Sequence, residues 1–276
     1  MSLVAVGDNV LDCYVDLGLV FPGGNSVNVA VSAARAGTRT AYVGVVGDDA
    51  PGALMKAALD AEGVDRTHLR TCGGPTATAV VRHVGGDRMF GPNDKGVSLF
   101  RPTCADQDFV AGFGLAHSSY CSGLESAVPA LASRTRLSFD FDDRTQDGYA
   151  DDLLPHVWVA TFSASHLTRP ECEDLLRSAH SRGPAYVFAT RGAEGALAYD
   201  GNEICSSPAG PVEVVDSLGA GDAFIGRALH GLLAGEPTDV LLSAAVRAGT
   251  AACTTLGGFG HGRPLPSRDP LTATLR

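Results

Sequence analysis

The chain reads as an α/β protein: a central, mostly parallel sheet covered by helices on both faces, with a small β lid attached. Three observations predict this. Short strand-like runs alternate with segments of helical periodicity along most of the 276 residues. Several of those runs are apolar almost throughout, as strands buried on both faces are. The rhythm breaks only over 76–90, where two β-rich arms flank Gly85-Gly86-Asp87. We take 1–276 as a single domain whose lid is drawn from about 13–21 and 76–90, since no linker, repeat or low-complexity tract divides it.

The first strand is LVAVG at 3–7, followed by the polar turn Asp8-Asn9 and a second extended run, CYVDLGLVF, at 13–21. Pro22-Gly23-Gly24-Asn25 breaks the chain sharply before a helix with Val27, Ala30, Val31 and Ala34 at i, i+3, i+4 and i+7, closed by Gly37. A strand at 40–47 and a helix at 51–63, opened by proline and ended by glycine, complete a βαβ unit. In the arms at 76–90, Thr76, Thr78 and Arg82 alternate with Ala77, Ala79 and Val81, as in a one-sided sheet. From 113 onward FGLAHSS, RLSFDFD, VWVATFS and AYVFATRG supply further strands, and EGALAYDG with NEICSS predicts an antiparallel hairpin at the sheet edge. Two helices finish the fold, one with Ile225, Leu229, Leu232 and Leu233 on one face, the other over roughly 237–254.

Composition narrows the function. With 45% apolar and 19% charged residues the chain is globular, and 31 acidic against 21 basic residues leave a net charge of −10. That balance offers no footprint for nucleic acid or an anionic membrane. The seven cysteines are scattered and odd in number, which reads as free buried thiols rather than disulfides or a metal site. No apolar run approaches the ~20 residues of a membrane span, so a soluble cytoplasmic protein is expected.

Chemistry concentrates in Asp216-Ser-Leu-Gly-Ala-Gly-Asp222-Ala-Phe, a turn of small residues just before a helix. The N–H groups of Gly219, Ala220 and Gly221 can approach an anion closely, and the helix dipole adds positive potential. A carboxylate there, Asp222, would stand beside a bound phosphate and accept a proton from an attacking hydroxyl. The alternative from the residues alone is that Asp222 caps the helix. Neither a Walker loop nor GxGxxG occurs, so a nucleotide site must be of another type.

The turn resembles the D-T-x-G-A-G-D-x-F signature of the ribokinase-like, phosphofructokinase-B family of carbohydrate kinases. Two further blocks are similar to that family's: Gly23-Gly24-Asn25-Ser26-Val27-Asn28-Val29-Ala30, followed by Gly37 and Val46-Gly47-Asp48-Asp49, and Thr190-Arg191-Gly192-Ala193-Glu194-Gly195. Their order and spacing span nearly the whole chain. The resemblance implies a ribokinase-like fold, a small sugar as acceptor, ATP as phosphoryl donor and Mg²⁺ as bridging ion, with a monovalent cation left open. It implies Asp222 as catalytic base, the amides of Gly219, Ala220 and Gly221 as anion hole, and Asp8, Asp12, Gly23, Gly24, Asn25 and Asn28 as the sugar pocket. Thr190, Gly192 and Gly195 would line the nucleotide. Singly, Asn25 also reads as a helix N-cap, and Asp8 and Asp12 as turn residues.

Within the family, PGGNSVNVAV, DRMFGPNDKGV and FDFDDRT resemble fructoselysine 6-kinase-like members, which phosphorylate the 6-hydroxyl of a ketosamine. Fructose, ribose or a nucleoside as acceptor, and a catalytically silent sugar-binding protein of the same fold, are the alternatives. Three departures stand out. Where many members carry N-x-x-E to organise Mg²⁺, the chain reads Thr161-Phe-Ser163-Ala-Ser165-His166, which leaves the metal ligands unknown, with Glu171, Glu173 and Glu194 as candidates. Arg227 replaces a small residue, and Arg191 an apolar one. His83, His117, His166 and His261 form no metal spacing and receive no role. The lid is expected either to close over bound sugar or to pair with the lid of a second subunit in a homodimer.

Overall fold

The computed structural model describes residues 1–84, 87–145 and 148–265. Its strands in the first half are β1 (Ser2–Val6), β2 (Val10–Tyr14), β3 (Leu19–Gly23), β4 (Arg39–Gly47), β5 (Leu69–Cys72), β6 (Thr78–Val84) and β7 (Asp87–Asp94). The second half adds β8 (Leu115–Ser119), β9 (Leu137–Asp140), β10 (Val159–Ser163), β11 (Tyr186–Thr190), β12 (Ala196–Tyr199), β13 (Ile204–Ser207) and β14 (Arg263–Pro264). The helices are α1 (Asn25–Arg35), α2 (Ala50–Ala61), α3 (Cys104–Val110), α4 (Val128–Ala132), α5 (Arg169–His180), α6 (Ala220–Ala234) and α7 (Thr238–Ala252).

Nine strands form the main sheet in the order β13-β12-β11-β10-β9-β8-β1-β4-β5. Every pairing from β11 to β5 is parallel, whereas the expected edge hairpin of β12 and β13 is antiparallel within itself and runs antiparallel to β11. Alternate residues of each strand serve opposite faces. Leu3, Leu115, Val159 and Phe188 pack under residues of α1, α6 and α7, whereas Val4, Val6, Ala116, Phe139 and Ala160 share a core with residues of α3, α4 and α5. Helices thus cover both faces, as the apolar runs predicted. The chain leaves β1 toward β4 on one side and resumes with β8 on the other. Such a reversal opens a crevice at the carboxyl ends of the strands, where open α/β sheets bind ligands.

Helix α1 lies against this crevice and buries more than the predicted stripe. Val29 and Ala33 join the core beneath α6, while Val27, Ala30 and Val31 join the core beside α2. Contact with α6 is close because Gly226 has no side chain: a Cβ there would fall 2.5 Å from that of Ser32. The first turns of the two helices are thereby brought together.

The second sheet has the order β14-β3-β2-β6-β7. It corrects three expectations. The run at 13–21 is not one extended segment: β2 and β3 form an antiparallel hairpin across 15–18, with Gly18 at φ 64° in the left-handed region. Asp12 consequently sits within β2, and a short strand from the end of the described chain, β14, joins β3. The arms at 76–90 pair as expected, Val84 with Asp87, although the turn at 85–86 lies outside the described residues. Nor is this sheet one-sided. A register shift between Ala79 and Val81 lets both Val80 and Val81 be fully buried, and Thr76 and Thr78 are buried too. One face, with Leu11, Cys13 and Val20, packs toward α2; the other, with Tyr14, Phe21 and Val81, packs toward Leu218 and Leu256.

No disulfide joins any of the seven cysteines, as expected, but only Cys13 and Cys172 are buried.

Candidate active site

The carboxyl ends of β1, β8, β9, β10 and β11 line one edge, and the functional side chains stand along it. Asp8 follows β1 and is buried. Gly24 precedes α1 with no side chain to cap it, so Asp8 takes that place across the chain: Oδ2 accepts from the Asn25 amide at 2.9 Å and Oδ1 from the Ser26 hydroxyl at 3.1 Å. Ser122 donates to the same Oδ1 at 3.1 Å. Asp8 is thereby fixed in place at a helix N-terminus.

With that cap supplied from elsewhere, the Asn25 side chain is released from capping. Its Nδ2 donates to Asp140 Oδ2 and to Asp222 Oδ1, each at 2.8 Å. One turn on, Asn28 Nδ2 donates to Asp222 Oδ2 at 2.7 Å. The i, i+3 spacing does put both asparagines on one face, and that face grips Asp222. Asn28 Oδ1, by contrast, has no partner in a buried position. It lies beside Gly23, whose α-carbon also abuts the buried Asp12 carboxylate. An orphaned acceptor next to a carboxylate and a bare backbone suits a ligand that brings hydroxyl donors.

Asp222 occupies the first turn of α6. Gly219, which starts the helix, has φ 76° and stands so close to Gly258 that a Cβ would fall 2.7 Å from its α-carbon. Only glycine suits both demands. The Asp222 carboxyl does not cap the helix; it turns toward α1. Ala220 N reaches Ser217 O at 3.3 Å, while the amides of Gly221 and Asp222 fall in the first turn, where a helix has no acceptor of its own. Gly221 is exposed and Asp222 half-buried, so a ligand can reach them.

Loss of water raises both acids. Desolvation, opposed by the hydrogen bond from Asn28 and reinforced by the charge of Asp8, pushes the Asp222 carboxyl up to about 7. Desolvation, together with the charges of Asp222 and Asp142, takes Asp140 to about 8. A carboxyl that ionises near neutrality beside free helix amides has what a general base for transfer of an anionic group requires.

His117, in the middle of β8, completes the cluster. It is wholly buried, and that burial holds its imidazole at about 3 and hence neutral. Its Nε2 lies 3.0 Å from Asn25 Oδ1 and its Nδ1 3.2 Å from Ser138 Oγ. Both hydrogens of the Asn25 amide are committed to carboxyls, so Nε2 carries the imidazole proton and Nδ1 accepts from serine. Assigning His117 no role, on metal spacing alone, overlooked it. The signal was a histidine inside a strand otherwise composed for burial. Asp140 stood in FDFDDRT without a role.

Thr190 closes β11, and the glycines after it adopt positive φ, 56° at Gly192 and 91° at Gly195. This loop lies on the same edge as Asp140, two strands or about 10 Å away. The candidates for metal ligation are otherwise engaged: Glu171 caps α5 through Thr168, Glu173 pairs with Arg169, and Glu194 with Arg191. Among the described residues no three ligand-type side chains gather into a metal site. Arg227 is held by Glu236 at 3.0 Å.

Comparison with known proteins fits this geometry. Residues 14–261 match the pfkB family carbohydrate kinase profile. The chain is 36% identical over 274 residues to the fructosamine kinase FrlD of Bacillus subtilis (strain 168), covering 98% of this chain and 96% of that one. It is 35% identical over 256 residues to the fructoselysine 6-kinase of Escherichia coli (strain K12), covering 91% and 95%. Among solved structures, an Arabidopsis thaliana ribokinase complexed with ribose and ATP superposes with a TM-score of 0.81 at 20% identity, over 94% of each chain.

Proposed function

The chain belongs to the pfkB family of carbohydrate kinases, and from that premise we propose that it transfers a phosphoryl group from ATP to the 6-hydroxyl of a ketosamine such as fructoselysine. The observation that carries the reading is Asp222, gripped by Asn25 and Asn28 in the first turn of α6 and raised to about 7. In this position it accepts the proton of the attacking hydroxyl, while the amide of exposed Gly221 and those beside it in the first turn, with the α6 dipole, face the transferring phosphate. Asp12, Gly23, Gly24 and Asn28 receive the sugar, and Thr190, Gly192 and Gly195 line the nucleotide. Asp8 supports the pocket from below by fixing the start of α1.

The ketosamine assignment rests on the two relatives at 35–36% identity, which extend over nine-tenths or more of the chain. Magnesium, when bound, would neutralise charge on the phosphates. The donor set favours an ion carried by the nucleotide and completed by water over a cage of protein ligands. No described helix is long and apolar enough to cross a membrane, and work in the cytoplasm, where ATP is at hand, is part of the proposal. So are closure of the second sheet over bound sugar and a homodimer through it, which sedimentation and hydrogen exchange with and without sugar would read.

The deciding experiment is a Mg-ATP kinase screen across ketosamines, ketoses, ribose and nucleosides, run in potassium and in tetramethylammonium to read any monovalent-cation dependence. The highest kcat/KM on a ketosamine supports the assignment. A higher value on fructose, ribose or a nucleoside moves it to that sugar, and turnover on none makes the chain a silent sugar binder.

A further inference from the structure

The reaction as described needs one carboxylate, yet the structure places a second beside it. Asp140 ends β9, almost fully buried, and accepts one hydrogen of the Asn25 amide while Asp222 accepts the other, both at 2.8 Å. A single NH2 group therefore spans the two acids. It cannot turn over freely, because Asn25 Oδ1 takes the Nε2 proton of His117, itself locked by burial and by Ser138. The other oxygen of Asp140 is held by the Asp142 amide at 3.1 Å. Two strands, β8 and β9, and two helices, α1 and α6, thus contribute to one clamp.

We propose that Asp140 is a positioning residue for phosphoryl transfer: by sharing the Asn25 amide with Asp222 it aims the catalytic carboxyl. The proposal rests on the reading of Asp222 as base. Physically, two carboxyls joined by one amide and shielded from water resist ionising together, so one proton is retained between them until near neutrality. Both fall close to that range, first through desolvation. The remaining ionisable groups around them do not relieve this. Asp8 and Asp142 add negative charge, His117 is neutral, and Tyr120 and Cys121 are pushed up and stay protonated. Two cations bear on this corner: exposed Lys95, through Cys121, and Arg144, whose guanidinium lies 5.7 Å from the Tyr120 ring.

Asp140→Asn separates charge from clamp. Its side-chain oxygen still accepts from Asn25, but the charge that Asp140 acquires after Asp222 has ionised is gone. The acid limb of the kcat/KM–pH profile, set by Asp222, should stay in place, and kcat at pH 8 should be kept within roughly tenfold. Asp140→Leu removes the acceptor as well and should lower kcat about 10- to 100-fold with sugar KM within about threefold, a loss that His117→Phe should share because Asn25 is then free to turn. An Asp140→Asn enzyme that loses kcat as far as Asp140→Leu overturns the proposal. So does one that raises sugar KM while keeping kcat, which would make Asp140 a ligand of the acceptor. Asp222→Asn, measured alongside, tests the base itself: if it retains turnover, the reading of the site fails whatever Asp140 does.

Discussion

Replacing Asp222 by asparagine should inactivate the enzyme and stabilise it above neutral pH. The carboxyl moves from an ordinary 3.8 in the unfolded chain to about 7 in the fold. Between those values the folded state holds a proton that the unfolded state has released, so stability falls as pH rises through this window and is fully reduced above pH 7. At about 1.4 kcal/mol per unit, and allowing for the water that reaches a half-buried side chain, the ionised base costs the fold on the order of 2–4 kcal/mol. Asparagine never ionises. Its amide would oppose that of Asn28, but the Asn28 side chain can turn over to present its unpartnered oxygen. Denaturant unfolding at pH 5.5 and pH 8 should therefore show the variant gaining relative to wild type as pH rises, while single-turnover transfer falls ~10²–10⁴-fold. Turnover within tenfold of wild type where chemistry limits the rate would refute the base assignment. A stability difference that does not change with pH would refute the desolvation argument, whatever the kinetics show.

Three further outcomes follow from the geometry. Asp12→Ala should raise the sugar KM by a factor corresponding to roughly 1.5–3 kcal/mol with nucleotide affinity unchanged, because a carboxylate beside Gly23 is lost; calorimetric titration of each ligand separately reads this, and equal weakening of both would point to misfolding. Gly219→Ala should cost about 1–3 kcal/mol of stability and most of the activity, since a methyl at φ 76° runs into Gly258; an unaffected midpoint in urea would contradict it. Arg227→Ala should lose about 1 kcal/mol or less with kcat/KM unchanged, because the guanidinium is spent on Glu236; a selective rise in nucleotide KM would instead make Arg227 a phosphate contact.

The expected main sheet was legible for a physical reason. Strands covered on both faces must be apolar at nearly every position, and Leu3–Val6, Leu115–Ala116 and Val187–Ala189 say so without reference to their neighbours. The glycine turn was legible for a similar one, since a positive φ at Gly219 and a close backbone approach leave no other residue type. The second sheet was less so. A hairpin of five-residue strands around 15–18 and a bulge that buries adjacent valines break the period-2 pattern on which strand reading depends.

Which residues carry the site divided along the same line. Asp222 and the asparagines at i and i+3 declared themselves through local turn and helix chemistry. That Asn25 would be excused from capping depended on Asp8, brought to α1 by the end of β1. That its amide would span two carboxyls depended on Asp140, 115 residues away, and on His117, 92 residues away. Ionisation near neutrality required removal of water from the Asp222 carboxyl, and no spacing encodes that. The sequence by itself determined the layers of the fold and the turn that meets an anion, because those are local demands on backbone and burial. The tertiary structure alone decided which acids meet at the Asn25 amide and ionise near neutrality, because desolvation and charge interaction depend on distance and dielectric, and both exist only after the strands are assembled.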